Sequence, residues 1–237
     1  MTPDSLFMTI ILTNDDGVDA PGIKALKKAL DNSQGSYQSV TVAPKVQHSG
    51  CGHQVTTHRG IHVEKRTAEA YAVDGTPADC TRIGICQLNL DTKWVLSGIN
   101  AGGNLGTDVY ISGTVAAVRE AAMHGVPGIA ISHWIKRPLM IDWDWAAFWT
   151  GKVLVDLMSR PPSKGSFWNV NLPHLEANAE DPEIIFCQAS IDPLPVDFRR
   201  EGDIYHYRGK YGDRDRTSGT DVDVCFSGNI AVTQISL

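Results

Sequence analysis

An α/β fold with an open, mostly parallel sheet is predicted by three features of these 237 residues. Short apolar, β-branched runs alternate with stretches of helical period. From Met8 to Ala43 a strand, a loop, a helix and a second strand follow one another at the spacing of a parallel βαβ unit. The polar and glycine-rich loops fall where strands end, the edge at which open parallel sheets bind ligands.

Residues 1–7 read as a loose tail. Met8–Thr13 is short, apolar and β-branched, a buried strand, and the loop 14–20 follows it. Pro21 stands at the first position of a helix over 21–32, with Ile23, Leu26, Ala29 and Leu30 on one face. Tyr37–Ala43 is the second strand; Pro44 stops it and opens the polar loop PKVQHSGCGHQ. The stretch 54–75 holds two or three short strands, and a helix runs from Pro77 to about Leu88. Trp94–Ser97 is the next buried strand, followed at 98–106 by the longest glycine-rich segment of the chain.

A helix over Val115–His124 turns Val115, Val118, Ala122 and Met123 to the core and leaves Arg119 and Glu120 on the solvent face; Gly125 caps it. Gly128–Ser132 is another buried parallel strand. Trp145, Phe148, Trp149, Val153 and Leu157 recur at helical spacing and read as a core-facing helix, with an aromatic cage for a base as the alternative. Phe167–Pro173 is a later strand. Beyond it the texture changes, and 174–219 reads as an antiparallel excursion or arm with a Tyr-rich strand at Ile204–Arg208. A short helix at 221–226 and a strand at Asn229–Ile235 close a chain read as one domain over 1–237.

The bulk numbers exclude some functions. A net charge of −6 and a pI near 5.7 give no basic face for a nucleic-acid polymer. Five cysteines with no CxxC pair argue for reduced thiols and a cytoplasmic setting. The segment MTPDSLF lacks the basic start and apolar core of a signal peptide, and no apolar run reaches membrane-spanning length.

Four loops carry candidate chemistry. In Asn14-Asp15-Asp16-Gly17 two adjacent carboxylates repel each other unless a cation neutralises them, and oxygen ligands favour Mg²⁺, Mn²⁺ or Ca²⁺. The same four residues also suit a simple turn, with Gly17 at positive φ. The loop His48-Ser49-Gly50 offers a hydroxyl, and Asn100, at the end of a strand, a neutral carbonyl oxygen. Ser112-Gly113-Thr114 opens a helix, where unpaired N–H groups and the helix dipole favour phosphate; the alternative for Thr114 is a plain N-cap.

Each signal is weak alone. On one sheet edge they suit metal-assisted attack on a phosphate ester. They suit hydride transfer poorly, because 98–106 lacks the G-x-G-x-x-G spacing. Cys51 is not followed by the Cys-x₅-Arg phosphate loop, and His48, His53, His58 and His62 need not converge on a metal. An aspartyl-phosphate site needs a second carboxylate two residues after the nucleophile, and here the acids are adjacent.

ILTNDDGVDAPGI, APKVQHSG, VDGTPADC, SGINAGGNLGTDVYISGTVAAVREA, GVPGIAIS, NVNLP and GTDVD occur in an order that resembles the SurE family of metal-dependent 5′-nucleotidases. The resemblance implies a Rossmann-like three-layer α/β sandwich with a C-terminal oligomerisation arm, within about 174–237, exchanged in a homodimer or homotetramer. It implies hydrolysis of nucleoside 5′-monophosphates, with 3′ activity open, using one divalent ion per subunit, Mg²⁺ or Mn²⁺. Carried across by motif, the metal ligands fall on Asp15, Asp16, Ser49 and Asn100, with Asp15 and Asp16 catalytic. The phosphate-binding turn falls on Ser112, Gly113 and Thr114, with Asn104 close by. Two positions depart from the family pattern: His48 where arginine is frequent, and Thr107 where an acid is common. A nucleotide- and metal-binding module without turnover, and a broader phosphatase acting on polyphosphate or sugar phosphates, are the alternatives.

Overall fold

Apolar residues in Met8–Thr13 (β1) form an interior strand of a nine-stranded sheet. The computed structural model describes residues 8–33, 37–88, 90–176 and 178–237, and the tail at 1–7 lies outside them. After β1 come the helix Pro21–Asp31 (α1) and the strands Tyr37–Pro44 (β2), Val63–Lys65 (β3) and Ala70–Val73 (β4). The helix Pro77–Cys86 (α2), the strand Thr92–Ala101 (β5), a 3-10 turn at Gly106–Tyr110 and the helix Gly113–Met123 (α3) follow. Next are the strand Gly128–His133 (β6), the helix Trp143–Ser159 (α4) and the strands Ser166–Leu172 (β7) and Ile184–Phe186 (β8). The chain ends with a hairpin, Phe198–Glu201 (β9) and Ile204–Tyr207 (β10), the helix Asp221–Phe226 (α5) and the strand Ile230–Ser236 (β11).

The strand order is β3-β4-β2-β1-β5-β6-β7-β11-β8. From β4 through β2, β1, β5 and β6 to β7 every pairing is parallel; β3 and β11 join antiparallel at either side. The chain winds outward from β1 through β2 in one direction and from β5 to β7 in the other, so the order reverses between β1 and β5. Ligand sites of open α/β sheets form at such a reversal. Helices α1 and α4 bury one face through Ile10, Leu26, Leu96 and Leu154, and α2 and α3 the other through Ile11, Val95, Val115 and Val118. This sandwich of helix, sheet and helix is the expected α/β class.

Several elements depart from the sequence reading in instructive ways. Strand β5 runs on past Ser97 to Ala101. A Cβ on Gly98 would lie 2.2 Å from the Ile131 carbonyl oxygen, so the glycine lets the strand stay in the sheet instead of ending there. Helix α3 begins at Gly113 because Ser112, not Thr114, is its N-cap, accepting the Val115 N–H. Met123 is exposed while Glu120 is buried, the reverse of the periodicity reading. On α4, Trp149, Val153 and Leu157 are buried as expected, whereas Phe148 is exposed and packs against the Lys152 ammonium. Beyond residue 174, β8 and β11 return to the main sheet, and the hairpin β9–β10 forms a separate antiparallel pair.

Candidate active site

The loop after β1 is closed by its own asparagine. Asn14 Oδ1 accepts the Gly17 N–H at 3.1 Å and Asn14 Nδ2 donates to the Gly17 carbonyl at 2.9 Å. Gly17 takes φ +110°, which favours glycine. This turn points Asp15 into the molecule, 6% exposed, toward the start of α3. The Thr114 hydroxyl donates to Asp15 Oδ1 at 2.5 Å. A Cβ on Gly113 would lie 2.9 Å from Asp15 Cβ, 3.1 Å from its Oδ2 and 3.0 Å from Cys51 Sγ, so only glycine lets α3 approach so closely. Burial pushes the Asp15 carboxyl up to about 6; the Thr114 hydrogen bond opposes that rise and the Asp16 carboxylate adds to it.

Asp16 is more open. Its Oδ1 accepts from Gln47 Nε2 at 3.1 Å and its Oδ2 from the Ala101 N–H at 3.3 Å. These bonds tie it to the loop after β2 and to the end of β5, beside Asn100. Asn100 Nδ2 donates to the Gly102 carbonyl at 2.8 Å, which orients the amide. The loop after β2 is anchored to the same place. The His48 N–H donates to the Asp15 carbonyl at 2.8 Å and the Gly52 N–H to the Ile111 carbonyl at 3.1 Å. Ser49, between those anchors, is exposed, with no side-chain hydrogen bond among the described residues.

The structure therefore brings Asp15, Gly113 and Thr114 into contact and sets Asp16 beside Asn100. Asn104 faces elsewhere. Its Nδ2 donates to Ser132 Oγ at 2.7 Å, its N–H to Asn171 Oδ1 at 2.8 Å, and its carbonyl accepts from Asn169 and Asn171. The two buried asparagines of NVNLP hold the glycine-rich segment from the strand side, a role the sequence reading did not assign them.

More residues that support the site went unread. Glu120, 5% exposed, accepts from His53 Nε2 at 2.7 Å and His124 Nε2 at 3.1 Å and forms an ion pair with Arg82, Nε to Oε1 3.1 Å. His53 follows the Ser49 loop, so this cluster fastens the loop to α3. Arg214, whose side chain is fully buried, pairs with Asp108 at 2.7 Å, and the Tyr211 hydroxyl donates to the same oxygen at 2.6 Å. Asp221 accepts the N–H groups of Gly106 at 2.7 Å and Ser190 at 2.8 Å. Segments near the C-terminus thus fix the 3-10 turn that leads into Ser112.

Among the described residues no three His, Cys, Asp or Glu side chains converge as a metal cluster. The donor set at the acidic loop is different: two carboxylates, one of them buried without a cationic partner among the described residues, with a neutral amide and a hydroxyl on neighbouring loops. That set fits a hard divalent cation.

Acidic strand-end loops beside a helix start, at the reversal of a parallel α/β sheet, define the class of a phosphate-directed α/β protein. The Survival protein SurE family model matches residues 10–191, and the chain belongs to that family. The Nostoc sp. (strain PCC 7120) protein alr3139 is 59% identical over 228 residues, covering 96% of this chain and 99% of its own. The 5′-nucleotidase SurE of Paramagnetospirillum magneticum is 36% identical over 238 residues, covering 98% of this chain and 91% of its own. The crystal structure of SurE from Aquifex aeolicus superposes with a TM-score of 0.85 at 30% identity, covering 96% of this chain and 93% of that one.

Proposed function

We propose that this chain hydrolyses nucleoside 5′-monophosphates to nucleoside and phosphate at the Asp15–Thr114 site. The contact between the Thr114 hydroxyl and Asp15 carries the reading, because it joins the acidic loop to the helix start where phosphate binds. Family membership and the name of the P. magneticum relative support the substrate class.

Asp15, Asp16, Ser49 and Asn100 would hold one divalent cation, Mg²⁺ or Mn²⁺. When bound, such an ion supplies positive charge to the phosphoryl oxygens and acidifies the attacking water. The protein groups do the rest. Ser112 Oγ is occupied by the Val115 N–H and the Thr114 hydroxyl by Asp15. The Gly113 N–H and the Ser112 O–H are left to donate to the phosphate, and Asn104, bonded to Ser132 and Asn171, steadies the glycine-rich segment. Asp15 Oδ2, free of the Thr114 bond and facing Gly113, accepts a hydrogen bond from the attacking water and aims it at phosphorus, while the water's proton passes to a phosphoryl oxygen. The P–O5′ bond breaks, and the departing O5′ takes up a proton from solvent water to give the nucleoside. Thr114 orients Asp15, and Gln47 and the Ala101 N–H orient Asp16.

The exposed hairpin residues Phe198, Ile204, Tyr205 and Tyr207 support assembly of a homodimer or homotetramer through the arm. Five free thiols support a reducing, cytoplasmic setting. No described helix is long and apolar enough to cross a membrane.

Phosphate release from 5′-AMP, 3′-AMP and p-nitrophenyl phosphate, in EDTA and again with Mn²⁺ restored, tests the reading. Metal-dependent release that favours 5′-AMP is expected. Silence on all three from folded, metal-supplied protein contradicts it.

A further inference from the structure

A second feature adjoins the acidic site. A cleft of about 590 Å³ opens at the carboxyl edge of the sheet, lined by residues of the loops after β6 and β7 and of α4. His133, Met140, Asp142, Trp145, His174 and Glu176 lie along it. Its size falls within the range of roughly 300–1,000 Å³ typical of small-molecule sites. His133 links it to the catalytic strand: it pairs in register with Ala101 and forms a bridge to Gly102. Ala101 is the residue whose N–H holds Asp16, and Gly102 the one whose carbonyl orients Asn100. Neighbouring strands lie about 4.8 Å apart, so the cleft begins one strand away from the acidic loop's anchor.

Apart from the Trp145 indole N–H, the side-chain polar groups open along the cleft are hydrogen-bond acceptors. His133 is 1% exposed, and its Nδ1 lies 2.7 Å from the Trp134 carbonyl oxygen. A carbonyl accepts, so Nδ1 carries the proton and Nε2 presents a lone pair. Among the described residues Nε2 has no hydrogen-bond partner. Burial holds the ring pKa down at about 4, which keeps it neutral near pH 7. His174 is already engaged: its Nδ1 accepts the Lys136 N–H at 3.0 Å and its Nε2 donates to the Met140 carbonyl at 3.2 Å. The carboxylates of Glu176, Glu180 and Asp181 add acceptors, and so does Asp142, whose Oδ1 also caps α4. Aliphatic Leu139, Met140 and Leu175 share the walls with the rings. His133 meets Trp145 edge-on at 5.8 Å and His174 at 4.9 Å between ring centroids.

A cleft rich in acceptors, with the Trp145 ring in an apolar wall and a phosphate site nearby, suits a planar ring that carries hydrogen-bond donors. We propose that this cleft receives the base of the nucleotide and selects bases that bear an exocyclic amine, adenine and cytosine, through His133 Nε2. The inference rests on the nucleotidase reading and deepens it. Uracil offers a carbonyl where cytosine offers its amine, and that oxygen would face lone pairs. Purine riboside has the ring of adenosine without the amine and forgoes the hydrogen bond.

Direct binding tests this without turnover. Affinities of adenosine and purine riboside, and of cytidine and uridine, are measured by titration calorimetry on the full chain with Mn²⁺ present. Adenosine and cytidine are each expected to bind about tenfold tighter than their partners, the scale of one well-placed hydrogen bond. Equal affinities within both pairs overturn the proposal. His133→Phe keeps a ring of similar bulk and removes the acceptor, and it is expected to bring both ratios close to one; unchanged ratios overturn the assignment to His133. Should that variant not fold, Trp145→Leu replaces it, with all four nucleosides expected to weaken about fivefold, as for lost stacking on one ring. Undiminished binding would then contradict the cleft. Phosphate release from 5′-AMP is followed in parallel. An active enzyme with equal affinities contradicts the cleft alone, and an inactive protein that still prefers adenosine contradicts the activity alone.

Discussion

The Thr114 hydroxyl donates to Asp15 Oδ1 at 2.5 Å across 99 residues of chain. One bond thereby sets the carboxylate after β1 against the first turn of α3. Gly113 makes the approach sterically possible, and burial of Asp15 makes the bond necessary, since a buried carboxylate without a donor is costly.

Thr114→Val keeps the shape of the side chain and removes the donor. Losing an orienting partner of a ligating carboxylate typically costs about 10- to 100-fold in metal affinity or activity. A kcat for 5′-AMP lowered by that factor, in protein with a wild-type circular dichroism spectrum, is the expected result. An unchanged kcat and an unchanged Mn²⁺ affinity would count against the role given to Thr114.

The raised Asp15 pKa has a definite sign in the metal-free protein. The folded state holds this proton up to about 6, against an ordinary value of 3.8. The stability contributed by neutral Asp15 is therefore fully present below the ordinary value and is lost as pH rises through about 6. In EDTA, the stability of wild type relative to Asp15→Asn should fall by roughly 1 kcal/mol between pH 5 and pH 7.5. Metal competes with the same proton, so Mn²⁺ affinity should climb over this window and level off above it. Urea unfolding and calorimetry at three pH values check both slopes; flat profiles would contradict the buried state of Asp15.

Asp108→Asn removes the charge partner of the buried Arg214 and weakens the acceptor for Tyr211. Leaving a buried cation unpaired costs about 3–5 kcal/mol. Thermal unfolding should show a drop of that order, with activity reduced because the turn before Ser112 loses its anchor. A melting temperature within a degree or two of wild type would show that the pair is dispensable.

The hairpin exposes Ile204 and Tyr205 on a two-stranded sheet separate from the main one. An isolated hairpin is marginal in water, so association through it is expected. Sedimentation should find a dimer or larger, and the double change Ile204→Glu, Tyr205→Glu should move it toward monomer. A monomeric wild type across micromolar concentrations would rule the hairpin interface out.

Much of this could be read without coordinates, for physical reasons. The β-branched run at Met8–Thr13, the turn chemistry of Asn14–Gly17 and Pro21 at a helix start are local signals, and they located the acidic loop. Ser112–Thr114 was legible as a helix start, but not which residue caps it. Two hydroxyls compete there, and Asp15, distant in sequence, draws Thr114 away. Periodicity placed Glu120 on the solvent face because it cannot see that His53 and Arg82 arrive to cover it. Met123 and Phe148 failed for the converse reason: a helical pattern marks apolar positions but not where the neighbouring layer ends. Asn169 and Asn171 sit in an apolar strand, and nothing local distinguishes a buried asparagine that holds a loop from one that merely pairs. Ser49 and Asn100 were legible as oxygen donors on strand-end loops, and Asn104 only from motif order. Asn100 lies beside Asp16 in the fold, Asn104 bonds Ser132 and the β7 asparagines instead, and Ser49 stands exposed on a loop anchored to the acidic one.

The most direct test is the rate of phosphate release from 5′-AMP by wild type and Asp15→Asn, each supplied with Mn²⁺. Asp15→Asn preserves volume and can still pair with Thr114, so the fold should persist, as a circular dichroism melt would verify. A loss of about 100-fold or more in kcat is expected, since losing the group that aims the attacking water costs that much. Release at the wild-type rate from folded Asp15→Asn would contradict the assignment of the active site to the acidic loop.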